Sequence, residues 1–141
     1  MSIYLYNTAA KKKQLFKTIK EKNVNLYTCG PTVYDYSHIG NFRTFIFQDV
    51  LKKWLNFSGY KVKHVMNITD VDDKTIKRSI DDGIPLKDLT TYYEQRFFED
   101  LDWLKIAKAD FYPRATDSIS KIVEMISALI SKKYAYVEKD G

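Results

Sequence analysis

The alternation of apolar and polar positions predicts one strand–helix–strand unit in the first half of the chain. Residues 24–28 have the pattern of a strand and end at a turn-forming Cys-Gly-Pro sequence. Apolar positions that roughly follow a 3.6-residue period predict a helix over residues 42–57. A second strand is predicted over residues 61–68, and such a βαβ unit places its two strands parallel in one sheet.

The segments on either side of this unit have simpler patterns. Residues 2–22 are rich in lysine, which predicts a surface arm or a hairpin with an exposed face. After the unit, an acidic start and a following glycine predict a helix over residues 70–82, and apolar periodicity predicts helices over residues 86–104 and 116–133. Residues 134–137 are a candidate for the start of another strand. The chain is therefore predicted to have an α/β fold.

Two polar segments follow the predicted strands, at residues 29–41 and 67–73. The carboxyl ends of parallel strands meet at one edge of a sheet, and ligands of open α/β sheets bind beyond that edge. We therefore expect the two segments to face one site, although the predicted helix separates them in sequence.

Composition narrows the classes of function. The chain has 141 residues, of which 45% are hydrophobic and 15% aromatic, enough for a core and against intrinsic disorder. The single cysteine excludes an internal disulfide framework, and a multi-cysteine zinc ribbon or iron–sulfur cluster built from this chain alone. The net charge of +5 suits an ordinary basic protein, or one with an anionic partner such as nucleic acid or nucleotide.

Two further absences bear on location. No apolar run approaches the roughly 20 residues of a membrane-spanning helix. The first 18 residues lack the apolar region of a secretory signal. We expect a cytoplasmic protein with no membrane partner.

The loop after the first strand holds the candidate chemistry. Taken singly, its residues have ordinary explanations, since a lone cysteine is usually a small buried apolar residue and a Gly-Pro pair usually forms a turn. In combination, His38, Gly40 and Asn41 place an imidazole, a residue without Cβ and an amide at a helix N-terminus. This arrangement favours a nucleotide, because the backbone N–H groups there attract phosphate oxygens. A positioned imidazole is also suited to stabilise charge at phosphorus.

Other titratable residues have two interpretations. Asp70, Asp72 and Asp73 are suited to recruit Mg²⁺ or to cap a helix, and their place before a predicted helix favours capping and surface roles. His64 lies on the second predicted strand and has no neighbours at metal-ligand spacing. A structural or solvated histidine is favoured over a ligand.

Three ordered motifs resemble the cysteinyl-tRNA synthetase family of class I aminoacyl-tRNA synthetases. They are the sequences CGPTVYD at residues 29–35, HIGN at residues 38–41 and NITDVDDK at residues 67–74. The likeness continues through most of residues 20–141, including the sequence PRAT at residues 113–116. It implies a Rossmann-like parallel sheet that is incomplete in this chain. Residues 1–115 match the first half of the catalytic domain and residues 116–141 match the beginning of an inserted subdomain.

The resemblance also implies a reaction and its partners. A cysteine–tRNA ligase uses ATP, accompanied by Mg²⁺, to convert L-cysteine to cysteinyl-adenylate. It then transfers the cysteinyl group to tRNA(Cys). The complete enzyme is expected to be a monomer.

The resemblance assigns roles to individual residues. Cys29 matches one of four protein ligands of a Zn²⁺ ion that binds the thiolate of the substrate cysteine. The residues His38, Ile39, Gly40 and Asn41 match the ATP-binding signature, with His38 and Asn41 as the catalytic pair. Asn41 stands where the wider class has a second histidine. Positions that line the cysteine and adenylate pocket in the family are matched by Gly30, Thr32, Thr44, Asn67 and Thr69.

The chain lacks other parts that the family needs. One cysteine and two histidines do not complete a zinc site, and no sequence like Lys-Met-Ser-Lys-Ser occurs. We expect a fragment with open sheet edges and an uncovered apolar face, which alone neither holds zinc tightly nor makes adenylate.

Two alternatives remain at this level. The first is a related ligase that activates cysteine but delivers it to an amino sugar. The second is a non-catalytic remnant that binds nucleotide or RNA.

Overall fold

The protein is represented by a computed structural model that describes residues 2–139. A hairpin comes first, then one strand–helix–strand unit, then three helices. The elements are β1 (Tyr4–Asn7), β2 (Lys12–Leu15), β3 (Asn23–Thr28), α1 (Ile39–Phe57), β4 (Lys61–Met66), α2 (Asp73–Asp82), α3 (Leu86–Trp103) and α4 (Ala115–Ser131). The predicted fold class is confirmed as a mixed α/β fold with a short parallel sheet, consistent with part of a Rossmann-like domain.

The N-terminal segment is the hairpin that its sequence predicts. β1 and β2 pair antiparallel, and most of their side chains are exposed. Ile3 is buried in a small cluster with Val24 and Leu55. This cluster attaches the hairpin to the parallel unit, so the hairpin packs on the fold through its first residues.

The parallel unit is also present as predicted. β3 and β4 pair in parallel, from Asn23 beside Lys61 to Thr28 beside Met66, and α1 connects them. β4 ends at Met66, two residues before the predicted end of the strand. In the described chain, this pairing forms a two-stranded parallel sheet.

A third extended segment, residues 111–114, runs along the other edge of β4 and was not predicted. It makes isolated parallel bridges, which pair Val65 with Phe111 and Ile68 with Arg114. The Met66 N–H donates to the Phe111 carbonyl at 3.0 Å, and the Ile68 N–H donates to the Pro113 carbonyl at 2.9 Å. The expectation of open edges is therefore wrong for the second half of β4, because this segment bonds to the backbone groups of the strand from His64 onward.

The main core lies between the sheet, α1 and α3. Its buried members are Val33, Phe42, Phe45, Met66, Ile68, Phe97, Leu101 and Ile106. The rings of Phe45 and Phe97 meet edge to face at 5.1 Å between centroids, which joins the two helices. The apolar face predicted for the helix over residues 86–104 is confirmed, because Leu89, Phe97 and Leu101 are all buried.

Helix boundaries differ from the predictions where a side chain caps the helix. α1 begins at Ile39, three residues early, because His38 caps it. α2 begins at Asp73, three residues late, because the Asp72 carboxylate accepts the N–H groups of Lys74 and Thr75, each at 2.9 Å. Caps decide these starts because they satisfy N–H groups that have no partner within the helix.

Two apolar helix faces are exposed in the described part of the chain. On α1 they are Ile46, Phe47, Val50, Trp54 and Phe57. α4 has no buried residue, and its predicted apolar stripe is exposed at Ile119, Ile122, Val123, Ile126, Leu129 and Ile130. The expectation of an uncovered apolar face concerned the sheet, whereas these exposed apolar residues lie on helices α1 and α4.

The prediction that residues 134–137 begin a strand is wrong. Tyr134 closes the end of α4, because its N–H donates to the Leu129 carbonyl at 2.9 Å. The residues after it have no regular secondary structure and no strand partner within residues 2–139. A strand needs an edge to pair with, which this segment lacks. Within the same range, no helix is long and apolar enough to cross a membrane.

His64 is the most buried polar side chain of the sheet, with 2% of its surface exposed. Its Nε2 lies 2.8 Å from Thr28 Oγ1, which joins β4 to the end of β3. Burial lowers the pKa of His64, and the charge of Lys52 lowers it further. The Asp110 carboxylate accepts the His64 backbone N–H at 2.7 Å, and this bond lowers the pKa of Asp110. The preference for a structural His64 is therefore confirmed.

We expect the free energy of unfolding to fall as the pH is lowered from 7 to 5. The unfolded chain protonates His64 near its ordinary pKa of 6.5, whereas the folded chain does so only at lower pH. The unfolded state therefore binds more protons in this window and is favoured, until the pH passes below the folded-state pKa. Urea unfolding followed by circular dichroism at each pH measures the slope.

The His64→Gln variant is the control for this prediction. It keeps a polar side chain beside Thr28 but does not titrate, so its slope should be shallower. Asp110 does not contribute in this window, because its pKa is lowered from an ordinary value of 3.8. His38 is present in both proteins. Equal slopes for the two proteins would contradict the assignment to His64.

Candidate functional site

The backbone segments that follow β3 and β4 continue side by side beyond the sheet. We call residues 29–33 and 67–69 the strand-end loops. Thr32 forms a parallel bridge with Thr69. The Thr69 N–H donates to the Pro31 carbonyl at 3.0 Å, and the Val33 N–H donates to the Thr69 carbonyl at 3.1 Å. The two polar segments therefore converge at one edge of the sheet, as their positions in the sequence predict.

Gly30 lies where the strand-end loops are closest. Its N–H donates to Asn67 Oδ1 at 3.3 Å. A Cβ atom at position 30 would lie 1.9 Å from the Asn67 carbonyl oxygen and 2.8 Å from Met66 Cγ. No side chain fits there without movement of the backbone. Asn67 Nδ2 also donates to Thr69 Oγ1 at 3.1 Å, so the loop residues orient each other.

His38 and Asn41 form a reciprocal cap at the start of α1. His38 Nδ1 accepts the Gly40 N–H at 3.0 Å, and Asn41 Oδ1 accepts the His38 N–H at 3.1 Å. A ring that accepts at Nδ1 is neutral and carries its proton on Nε2. No residue in the described range accepts that proton, so Nε2–H remains available as a donor. Gly40 is packed beneath the ring, since a Cβ there would lie 2.8 Å from His38 Cε1.

A polar cavity of about 410 Å³ opens beside this cap. We call it the strand-end cavity. Four of the predicted site residues line it together, and the lining also includes residues from the loop before α1 and from α2. The predicted members are Gly30, Thr32, His38 and Asn41, and the others include Tyr34, Asp35 and Lys74.

Other predicted residues lie near the cavity but do not line it. Asn67 and Thr69 are half-buried and hold the strand-end loops together. Ile39 and Thr44 are exposed on α1. The structure thus brings the strand-end and capping residues into one site and leaves the side chains of Ile39 and Thr44 on the helix surface.

Cys29 is exposed, unlike the usual lone cysteine. Gln48 Nε2 donates to its backbone carbonyl at 3.2 Å, which holds the residue while the thiol stays accessible. Residues 2–139 contain no group of three or more His, Cys, Asp or Glu side chains arranged to hold a metal ion. One thiolate is too few ligands for a zinc site. Residues 2–139 by themselves therefore do not fit a complete zinc centre.

The aspartates after β4 have structural roles. Asp72 caps α2, as the sequence favours. Asp70 is buried and accepts the backbone N–H of Thr116 at 3.0 Å and the hydroxyl of the same residue. It therefore ties the start of α4 to the second strand-end loop. No local sequence pattern indicates this contact, because its two partners are 46 positions apart.

Sequence reasoning also missed Tyr36, which attaches the loop before α1 to α3. The hydroxyls of Tyr36 and Tyr92 are 2.6 Å apart, and this hydrogen bond raises the pKa of Tyr36. The Tyr36 ring also packs edge to face on Tyr93 at 5.4 Å. Tyr92 and Tyr93 stand out in the sequence as a pair of aromatic residues, but nothing in the sequence indicates that Tyr36 is their partner.

A larger cavity of about 910 Å³ lies between α3 and α4. Arg114 and Glu94 form an ion pair at its wall, with Nε donating to Oε2 at 2.9 Å. None of the predicted site residues lines it. The strand-end cavity, although smaller, is therefore the one that carries the motif residues.

Comparison with known proteins identifies the family. A family model described as "tRNA synthetases class I (C) catalytic domain" matches residues 15–141. The chain belongs to this family. Its strand-end cavity and α1 cap are thus parts of a class I tRNA synthetase catalytic domain.

Several curated relatives in this family carry the name cysteine–tRNA ligase. The chain is 55% identical over 139 residues to the protein from Chlamydia pneumoniae. It is 54% identical over 137 residues to that from Protochlamydia amoebophila and 50% identical over 139 residues to that from Methanosarcina mazei. These alignments cover 97–99% of this chain but 29% of each relative, so the chain corresponds to a portion of those proteins.

We expect the Gly30→Ala variant to lose about 2 kcal/mol of unfolding free energy, because overpacking against backbone forces the strand-end loops apart. Urea unfolding of the variant and the wild type measures the loss. The matched control is Cys29→Ala at the neighbouring exposed position, which should change stability by less than about 0.5 kcal/mol. A Gly30→Ala variant as stable as the control would show that the loops are not in close contact.

Proposed function

We propose that this chain supplies the ATP- and adenylate-binding part of a cysteine–tRNA ligase. The observation that carries the proposal is the strand-end cavity, where Gly30, Thr32, His38 and Asn41 meet beside the N-terminus of α1. The position beyond the carboxyl ends of parallel strands is typical of nucleotide sites in α/β folds. The names of the relatives favour tRNA over an amino sugar as the final acceptor.

The first reaction is activation of the amino acid. A carboxylate oxygen of L-cysteine attacks the α-phosphorus of ATP, an O–P bond forms, and the bond to the β-phosphate oxygen breaks to release pyrophosphate. The carboxylate is already ionised, so the chemistry requires positioning and stabilisation of charge. We assign the charge stabilisation to His38 Nε2–H, which is a donor beside the cavity, and to the positive end of the α1 helix dipole. The Gly40 N–H is already engaged by His38 Nδ1, so it is not assigned to the phosphate.

The α1 cap holds the His38 ring in place before a ligand binds. The bond from the Gly40 N–H to Nδ1 fixes the ring and its tautomer before ATP binds. Asn41 holds the His38 backbone from the other side. Donors fixed in advance need not reorganise as charge develops, which is the main source of electrostatic catalysis. Gly30 and Thr32 would then line the adenylate, as their place in the cavity supports.

The second reaction transfers the cysteinyl group from the adenylate to a hydroxyl of the terminal ribose of tRNA(Cys), and AMP leaves. The residues of the cavity would hold the AMP portion in this step. Asn67 and Thr69 contribute to AMP binding indirectly, because they fix the second strand-end loop. In this proposal residues 116–141 are the beginning of an inserted subdomain, and the complete enzyme is a monomer.

Cys29 has a separate proposed role as one ligand of Zn²⁺. Its exposed thiol beside the cavity supports this role. A bound zinc ion would hold a substrate thiolate and discriminate against the hydroxyl of serine, since zinc favours soft sulfur ligands. The remaining ligands must come from outside the described residues. Mg²⁺ would accompany ATP through its phosphates.

Binding of a sulfamoyl analogue of cysteinyl-adenylate tests the proposed function. Isothermal titration calorimetry of the 141-residue chain should show one binding site. The His38→Asn variant should bind about tenfold more weakly, because it loses a donor to a charged group. Asparagine is a good N-cap, so this variant should keep the stability of the wild type.

The result that contradicts the proposal is the absence of analogue binding to a folded wild-type chain. Equal affinity of the wild type and His38→Asn would instead remove the role assigned to the imidazole. Circular dichroism on both proteins confirms that each is folded.

The chain alone should be inactive in the complete reaction. We expect no cysteine-dependent exchange of pyrophosphate into ATP, and no stoichiometric zinc after dialysis against metal-free buffer. The physical reason is that one thiolate cannot form a zinc site. Measured exchange above a reaction without cysteine, or one zinc per chain by atomic emission, would overturn this expectation.

A further inference from the structure

We propose that Lys74 binds the pyrophosphate part of ATP in the strand-end cavity. This inference rests on the proposed function and adds a substrate contact from α2. Lys74 is the second residue of that helix and lines the cavity together with Gly30, His38 and Asn41. Lys74 follows the second strand-end loop in the sequence, whereas His38 follows the first, so the two loops bring the two residues to one cavity.

The charges around the cavity leave Lys74 as an uncompensated cation. It is the one lysine or arginine among the described residues that line the cavity. None of the ion pairs found in the described chain includes it. Two neighbouring acids have other partners, since Asp35 Oδ2 lies 3.9 Å from Arg78 Nη1 and Asp72 caps α2. Asp73 is exposed on the first turn of α2.

An aromatic ring positions the ammonium group. Lys74 Nζ lies 5.5 Å from the centroid of the Tyr34 ring, and Tyr34 also lines the cavity. A ring attracts an ammonium through its face but accepts none of its N–H groups as a carboxylate would. The three donors of the ammonium therefore stay available for oxygen acceptors such as phosphate.

The two ligands proposed for the site differ in their number of phosphates. Cysteinyl-adenylate carries one phosphate, for which the α1 N-terminus and His38 are suited. ATP carries two more, and most of its negative charge lies on them. A lysine is a compact point charge well suited to such oxygens. Lys74 should therefore discriminate ATP from the adenylate.

The test compares two ligands and matched lysine variants by isothermal titration calorimetry. We expect Lys74→Gln to weaken binding of ATP with Mg²⁺ about tenfold, because it loses a charge-assisted contact. Binding of the sulfamoyl adenylate analogue should change less than about twofold, since that ligand lacks the pyrophosphate part. Lys77→Gln lies one turn further on α2 and outside the cavity lining, so it should leave both affinities unchanged.

A second variant separates charge from structure. Lys74→Arg keeps the cation and should bind ATP more tightly than Lys74→Gln does. Circular dichroism melts should agree among the wild type and all three variants.

Three results overturn the inference while the proposed function survives. The first is unchanged ATP affinity in Lys74→Gln, and the second is an equal loss for both ligands. The third is a wild-type chain that binds the analogue but has no measurable affinity for ATP. Failure of the wild type to bind the analogue is a different result, which removes the proposed function itself.

Discussion

The close contact of the two strand-end loops is the constraint on which the site depends. β3 and β4 pair in parallel, and their backbones stay in contact beyond the sheet through Thr32 and Thr69. This continuation requires Gly30, because a Cβ there would overlap the Asn67 carbonyl. The contact places the starts of α1 and α2 beside one cavity. A larger residue at position 30 would separate the two elements that supply His38 and Lys74.

The same residues serve folding and the proposed chemistry. His38 and Asn41 satisfy N–H groups at the start of α1, and Asp72 does so at the start of α2. These caps also orient the side chains that face the cavity. A donor held by its own helix cap pays little entropy when a ligand binds, which is the advantage of preorganisation. The exposed Cys29 thiol, by contrast, has no ligand partners within the described residues.

Long-range polar contacts join the later part of the chain to this frame. Asp70 holds the start of α4, and the neighbouring Arg114 is paired with the buried Glu94 of α3. Residues 111–114 pair with the end of β4 and with the residues that follow it. The apolar faces of α1 and α4 remain exposed beside this ordered interior. The chain therefore combines a well-packed centre with an exposed second apolar face on α1 and an exposed apolar stripe on α4.

The sequence by itself determined the βαβ unit, the α3 core face and the identity of the motif residues. Periodicity and turn residues are local signals, and the parallel pairing of β3 with β4 follows from them. Only the tertiary structure decided that residues 111–114 run beside β4, that Tyr36 rests on α3 and that Lys74 shares a cavity with His38. The tertiary structure also shows that the strand expected after α4 does not form. Each of these depends on a partner distant in sequence, and a local pattern contains no information about which distant backbone or ring will be within reach.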